Sequence, residues 1–297
     1  MTRRRLELSV LLGPALALFV CFVLAPILVA GYYSLHAGDG FGALEPVGLR
    51  NYGDALSDDV FRNAIVHNLI IVALSLLVQL PLSIGLALLL NRRLRGRAFL
   101  RLVVFAPYVL SEAITAVIWL LLLQPDGFVD EFLRTIGLGS LVQEWLADGG
   151  IVLYTLFAVI TWKYIGFGII LLLAGLQSIP DELREAARLD GASAWETTRH
   201  IVLPLLGPTV RIWAFLSIIG ALQLFDLIWI MTLGGPANAS STMATYLIDH
   251  GFRRYEFGYG SAVAVILFAI CFAFALLYQR YALRRDTAGA VTRIAGA

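Results

Sequence analysis

Six stretches of the chain are apolar for long enough to cross a bilayer, whose hydrocarbon core of about 30 Å takes roughly 20 residues of helix. They run from Leu8 to Tyr33, Ala64 to Leu90, Leu100 to Leu123, Ile151 to Leu176, Thr209 to Met231 and Ser261 to Leu283. Pro14, Pro26 and Pro81 fall inside them. Membrane helices tolerate proline because neighbours and water satisfy the freed carbonyls, so kinks rather than breaks are predicted. Between the runs, polarity returns. The segment from His36 to Arg62 is rich in Gly, Asp and Asn, with a short surface helix predicted to begin within Ser57 to Arg62, and Gly234-Gly235-Pro236 marks a turn. No internal repeat and no linker between soluble domains is visible, so residues 1–297 read as one all-α membrane domain.

Charge supplies the orientation. Short cytoplasmic loops are enriched in Lys and Arg. One side of the predicted spans collects Arg3, Arg4, Arg5, Arg92, Arg93, Arg95, Arg97, Arg101, Arg184, Arg188, Arg199, Arg211, Arg280, Arg284, Arg285 and Arg293. The other holds Arg50, Arg62, Arg134, Arg253 and Arg254, diluted by acidic residues such as Asp54, Asp58, Asp59, Asp126 and Asp130. Both termini are therefore expected in the cytoplasm. Composition agrees: 59% of the 297 residues are hydrophobic, 14% are charged, and the mean hydropathy is +0.82. A net charge of +1 gives the chain no electrostatic footprint for nucleic acid. Arg3 to Arg5 resemble the start of a signal peptide, but the apolar run behind them outlasts a secretory core and reads as an uncleaved first span. Cys21 and Cys271 lie inside apolar runs and read as buried free thiols rather than a disulfide or metal pair.

The segment from Ser178 to Leu206, on the arginine-rich side, is too polar to span. Ser178 with Asp181 reads as a capping box, Pro180 suits a first helical turn and Gly191 a stop, so a helix is predicted over Asp181 to Asp190. Ser193 then caps a second short helix that Pro204 ends or kinks. With the small residues Ala186, Ala187 and Ala192 this is a compact docking knob or, as is commoner for such residue patterns, an ordinary helical loop at the membrane surface.

Glu185-Ala186-Ala187, Asp190-Gly191-Ala192, Ile201, Leu203 and Pro204 at their spacing resemble the EAA motif of ABC importer permeases. The resemblance is to the maltose/glycerol-phosphate type of carbohydrate permease and covers roughly residues 10–285. It is carried also by Gly48-Leu49-Arg50-Asn51-Tyr52, Pro107-Tyr108, Trp119, Gly175-Leu176-Gln177-Ser178-Ile179-Pro180, Phe225-Asp226 and Gly234-Gly235-Pro236. Thr198 stands where that branch has Phe, weakening an apolar contact under the knob, and Ser111 where a second Pro often follows, which is expected to straighten the third span.

This resemblance implies a type I importer permease fold of six transmembrane helices with a cytoplasmic coupling loop over residues 178–206, in a bacterial or archaeal plasma membrane. It implies that Glu185, Ala186, Ala187, Asp190, Gly191, Ala192, Ile201, Leu203 and Pro204 engage a separate ATP-hydrolysing subunit. The expected partners are a dimer of such subunits holding ATP and Mg, a second homologous permease subunit, an extracytoplasmic solute-binding protein and the surrounding lipid. No cofactor, metal or catalytic residue is expected in this chain. Polar residues inside spans are candidates for a path because burying them in lipid is costly. Glu112 and Lys163 sit at similar depth and could pair, either to bind substrate or only to join two helices. Trp162, Tyr164, Ser217, Gln223 and Asp226 are candidates by the same resemblance, although on one continuous helix Ser217 and Asp226 face nearly opposite ways.

Two other classes are consistent with midplane charges. An ion-coupled secondary transporter using Glu112 and Lys163 would need no ATPase, yet six spans without an inverted repeat argue against it. A membrane enzyme is disfavoured by the absence of H-E-x-x-H and G-x-S-x-G, and the missing G-x-x-x-x-G-K-[ST] fits a motor on a separate polypeptide.

Overall fold

The computed structural model describes residues 12–40, 42–92 and 95–283, so Arg3, Arg4, Arg5, Arg93, Arg284, Arg285 and Arg293 lie outside the described residues. The helices are α1 Leu12–Tyr33, α2 Arg50–Ser57, α3 Asp59–Leu90, α4 Arg97–Val109, α5 Glu112–Leu122, α6 Phe128–Thr135, α7 Val152–Gln177, α8 Asp181–Leu189, α9 Ala194–Leu222, α10 Asp226–Thr232, α11 Met243–Ile248 and α12 Phe257–Ala282. Among the described residues five helices (α1, α3, α7, α9 and α12) are long and apolar enough to span, or six if the bent α4–α5 pair counts as one broken span.

Three prolines inside long helices are accommodated in the same way. Proline lacks the N–H that would bond the carbonyl four residues back and its ring clashes with that carbonyl. The carbonyls concerned belong to Phe22, Leu77 and His200, and each is the middle residue of a π-helical turn: Val20–Leu24 before Pro26, Ser75–Gln79 before Pro81, Thr198–Val202 before Pro204. The wider turn takes its bond one residue farther along, as from the Leu80 N–H to Ser75 and from the Leu203 N–H to Thr198. Of the two expectations for Pro204, ending the helix or kinking it, the first is not met. The helix capped by Ser193 continues to Leu222 as α9.

The chain forms two compact units, Met1–Arg62 with Met243–Ile270 and Asn63–Thr242 with Cys271–Ala297. In the first, the loop after α1 folds into a two-stranded antiparallel hairpin, β1 His36–Ala37 and β2 Glu45–Pro46. Buried Asn51 ties α2 to it, donating from Nδ2 to the Ser34 and His36 carbonyls at 2.9 Å each. The predicted surface helix thus lies at Arg50–Ser57, earlier than expected. Asp58 stops it and caps α3, accepting from the Phe61 N–H at 2.9 Å. Phe61 packs on Tyr246 of α11, whose hydroxyl meets that of Tyr259 at 2.8 Å. Burial, then the Tyr259 hydroxyl, push the Tyr246 hydroxyl well above its ordinary range.

The second unit is built around α7, the most buried of the spans. Close approach there requires glycine. A Cβ on Gly166 would lie 2.2 Å from the Val104 carbonyl of α4, and one on Gly168 would lie 2.4 Å from the Trp213 ring of α9. Two apolar cores flank these contacts, one around Leu156, Leu227 and Ile228 and one around Ile169, Leu172 and Leu206.

Two of the predicted continuous spans are broken. The third bends by 100° between α4 and α5. Ser111, expected to straighten it, is the reason a new helix starts: its hydroxyl accepts from the Ile114 N–H at 3.2 Å. The fifth stops at Leu222 and restarts at Asp226.

Candidate functional site

Helix ends expose carbonyls that must find donors, and inside a bilayer water is not at hand to supply them. Buried side chains do so at both breaks. Lys163 Nζ donates to the Leu110 carbonyl at 2.5 Å. Asn68 Nδ2 donates to the carbonyls of Ala221 and Leu222 at 2.7 and 3.3 Å, and Thr242 Oγ1 to that of Leu224 at 2.8 Å. The expected Glu112–Lys163 ion pair is not formed. Glu112, instead of lying mid-helix, is the first residue of α5, where the helix dipole favours a carboxylate, and it accepts a hydrogen bond from the Tyr164 hydroxyl.

Between the breaks lies a cavity of about 420 Å³. Tyr164, Tyr108, Phe167 and Trp213 form a run of aromatic contacts along it, with neighbouring ring centroids 6.2, 4.9 and 5.6 Å apart. Polar groups are supplied by Glu112, Asp226, Gln223, Ser217, Ser75 and Gln79, the last accepting from Ser217 Oγ at 3.3 Å.

Of the path candidates, Glu112, Tyr164, Ser217, Gln223 and Asp226 meet at this one cavity. The expectation that Ser217 and Asp226 face apart assumed an unbroken helix. The turn at residues 223–225 swings Asp226 back to the face that Ser217 occupies. Trp162 and Lys163 are not in the lining: Trp162 stacks edge-on against Trp119 with centroids 5.4 Å apart, and Lys163 serves the bend. Sequence reasoning missed Ser75 and Gln79, two polar residues deep in the second apolar run, though the rule that singled out Glu112 applies to them equally.

The segment after α7 forms a second site. Ser178 does not cap α8; it ends α7, its hydroxyl donating to the Gly175 carbonyl at 2.8 Å, and Pro180 occupies the cap position of α8. Helix α8 ends at Gly191, whose φ is +84°, in a Schellman turn. The Ala192 N–H reaches the Ala187 carbonyl at 2.9 Å and the Gly191 N–H that of Arg188 at 3.1 Å. Arg184 pins the helix back to α7 by donating to the Leu176 carbonyl at 3.2 Å. Glu185, Ala186, Asp190 and Gly191 are exposed, Ala192 is half-buried, and Ala187 is buried beneath the turn. Ile201, Leu203 and Pro204 belong to α9 rather than to the protruding turn.

Ser193 and Glu196 form the full capping box that opens α9, with bonds of 3.2 and 2.8 Å. Replacing Ser193 with Ala is expected to cost about 1 kcal/mol locally. The check is hydrogen exchange at the Glu196 amide, about fivefold faster in the variant.

Comparison with known proteins places the chain. A family model described as the inner membrane component of binding-protein-dependent transport systems matches residues 79–286. The chain belongs to this family. It is thus a multi-pass membrane permease subunit of an ABC importer, a transport component rather than an enzyme. The permease is 33% identical to the trehalose/maltose transport system permease protein of Thermococcus litoralis, over 92% of each chain. It is 32% identical to the diacetylchitobiose uptake system permease protein of Streptomyces coelicolor, over 90% of this chain and 79% of that one. Its fold, that of a type I importer permease, matches a crystal structure of a bacterial ABC transporter that imports the acidic polysaccharide alginate, with a TM-score of 0.83 over 95% of this permease and 96% of that chain at 24% identity.

Proposed function

We propose that the permease carries an oligosaccharide, that the cavity between its two broken helices is part of the path, and that α8 with its Schellman turn docks on a separate ATP-hydrolysing subunit. The observation that carries the reading is the cavity itself, lined by both aromatic faces and hydrogen-bonding side chains. Sugars present apolar C–H faces and hydroxyl edges, so a run of rings beside carboxyl, amide and hydroxyl groups suits them. The names of the two relatives support the same class.

For docking, the support is exposed apolar surface on the turn. Leu189 is 89% and Trp195 66% exposed, unusual for large side chains outside the bilayer unless a partner covers them. The partners in this reading are a second permease subunit, two ATP-binding subunits and an extracytoplasmic solute-binding protein. The arginine distribution supports cytoplasmic termini in a plasma membrane. ATP and Mg are held by the partner subunits, and closure of those subunits favours one of two permease states over the other.

The test is uptake of a panel of labelled di- and trisaccharides, including trehalose, maltose and diacetylchitobiose, by cells carrying the operon intact or with this chain deleted. At least one saccharide is expected to enter only when the chain is present and ATP is available. A panel that enters equally well without the chain would overturn the saccharide reading.

A further inference from the structure

The charges around the cavity are one-sided. Among the described residues its lining includes two carboxyl groups, Glu112 and Asp226, and no lysine, arginine or histidine. The nearby cation, Lys163, is engaged by the Leu110 carbonyl and stands outside the lining. A second, independent feature is Gln79. It is 2% exposed, its Oε1 accepts from Ser217, and its Nε2 lies buried at the cavity with no hydrogen-bond partner. A buried amide donor is costly to leave unpaired, so this nitrogen calls for an oxygen acceptor, which a water or a ligand hydroxyl can be.

A hydroxyl group answers both features, accepting from Gln79 while donating to a carboxylate. A carboxylate, sulfate or phosphate ester answers only the first. A fully ionised one has no proton to give Glu112 or Asp226, and it adds like charge beside them. We propose that Glu112 and Asp226 make the cavity a charge filter that admits hydroxyl-rich saccharides bearing no anionic group, Gln79 supplying the donor. The proposal rests on the reading of the cavity as the saccharide path.

The test measures the field in the cavity without any sugar, so that selection by a solute-binding protein does not enter. Gly220 lines the cavity and a Cβ there meets nothing within 4 Å, so Gly220→Cys places a thiol in it without a clash. Cys21 and Cys271 are first replaced by Ser and Ala. Full-length permease, expressed with its operon partners in native membranes, is then labelled with the cationic trimethylammonium-ethyl and the anionic sulfonato-ethyl methanethiosulfonates. Taking the ratio of the two rates cancels the effect of the field on the thiol itself.

The ratio is expected to favour the cation by about tenfold more than it does for a free thiol, and to fall to about the free-thiol ratio with Glu112→Gln and Asp226→Asn together. Asp226→Asn alone, at an exposed helix start, should remove part of the preference and serves if the double variant fails to reach the membrane. A free-thiol ratio in the native background, or a preference that the substitutions leave unchanged, overturns the charge filter while leaving the path reading standing. If neither reagent reacts, water does not reach the cavity and the path reading itself falls.

Discussion

Gly191→Asp is expected to leave the permease in the membrane at its normal level and to abolish substrate-stimulated ATP hydrolysis by the assembled transporter. The left-handed backbone at Gly191, with φ at +84°, costs most L-residues roughly 1–2 kcal/mol, but aspartate is among the few that visit it routinely. A Cβ there meets nothing within 4 Å in this chain, so the cost to the fold is the backbone strain and not a clash. In the docking proposed for α8, a partner cleft closed over this exposed turn would not accommodate the new side chain. Quantifying the chain in membranes and measuring ATPase activity with and without transported substrate checks this. Stimulation within twofold of native would sink the docking role of α8.

The second large effect is at Lys163. Lys163→Met is expected to lower the thermal midpoint of the detergent-solubilised transporter by several degrees and to cut uptake at least tenfold. Methionine fills the space but leaves the Leu110 carbonyl without a donor, and a buried unpaired acceptor costs about 1–3 kcal/mol. The 100° bend that places Glu112 at the cavity depends on that carbonyl being satisfied. Lys163→Gln separates the roles, since an amide donates without charge. Recovery of most of the stability by Gln, assayed side by side with Met, is the expected result. Gln as damaging as Met would show that the charge matters and return the ion-pair reading to consideration.

Much of this fold is legible from residue order. The six apolar runs, the glycine stop after α8 and the serine cap of α9 follow from local rules, because each depends on a few adjacent residues. The two helix breaks were not legible. Nothing between Leu110 and Ser111 or at residues 223–225 is a strong breaker, and the carbonyls freed there are paid for by Lys163, Asn68 and Thr242, distant in sequence. The same distance explains the misplaced roles of Lys163 and Trp162. Five of the seven path candidates meet at one cavity, but only the break after Leu222 brings Ser217 and Asp226 to it together. Residue order left open whether Pro204 ends or kinks its helix, and termination is avoided because the preceding turn widens.

That widened turn has a mechanical consequence. Because it absorbs Pro204, the 29 residues from Ala194 to Leu222 form one continuous helix about 43 Å long, with one end beside the exposed Trp195 and the other at the edge of the cavity. A rod of that length pivoting by ten degrees about either end sweeps the opposite end through about 7 Å. If α8 docks on an ATP-hydrolysing subunit as proposed, a small angular change there would reach Gln223 as a displacement larger than a hydrogen bond can follow.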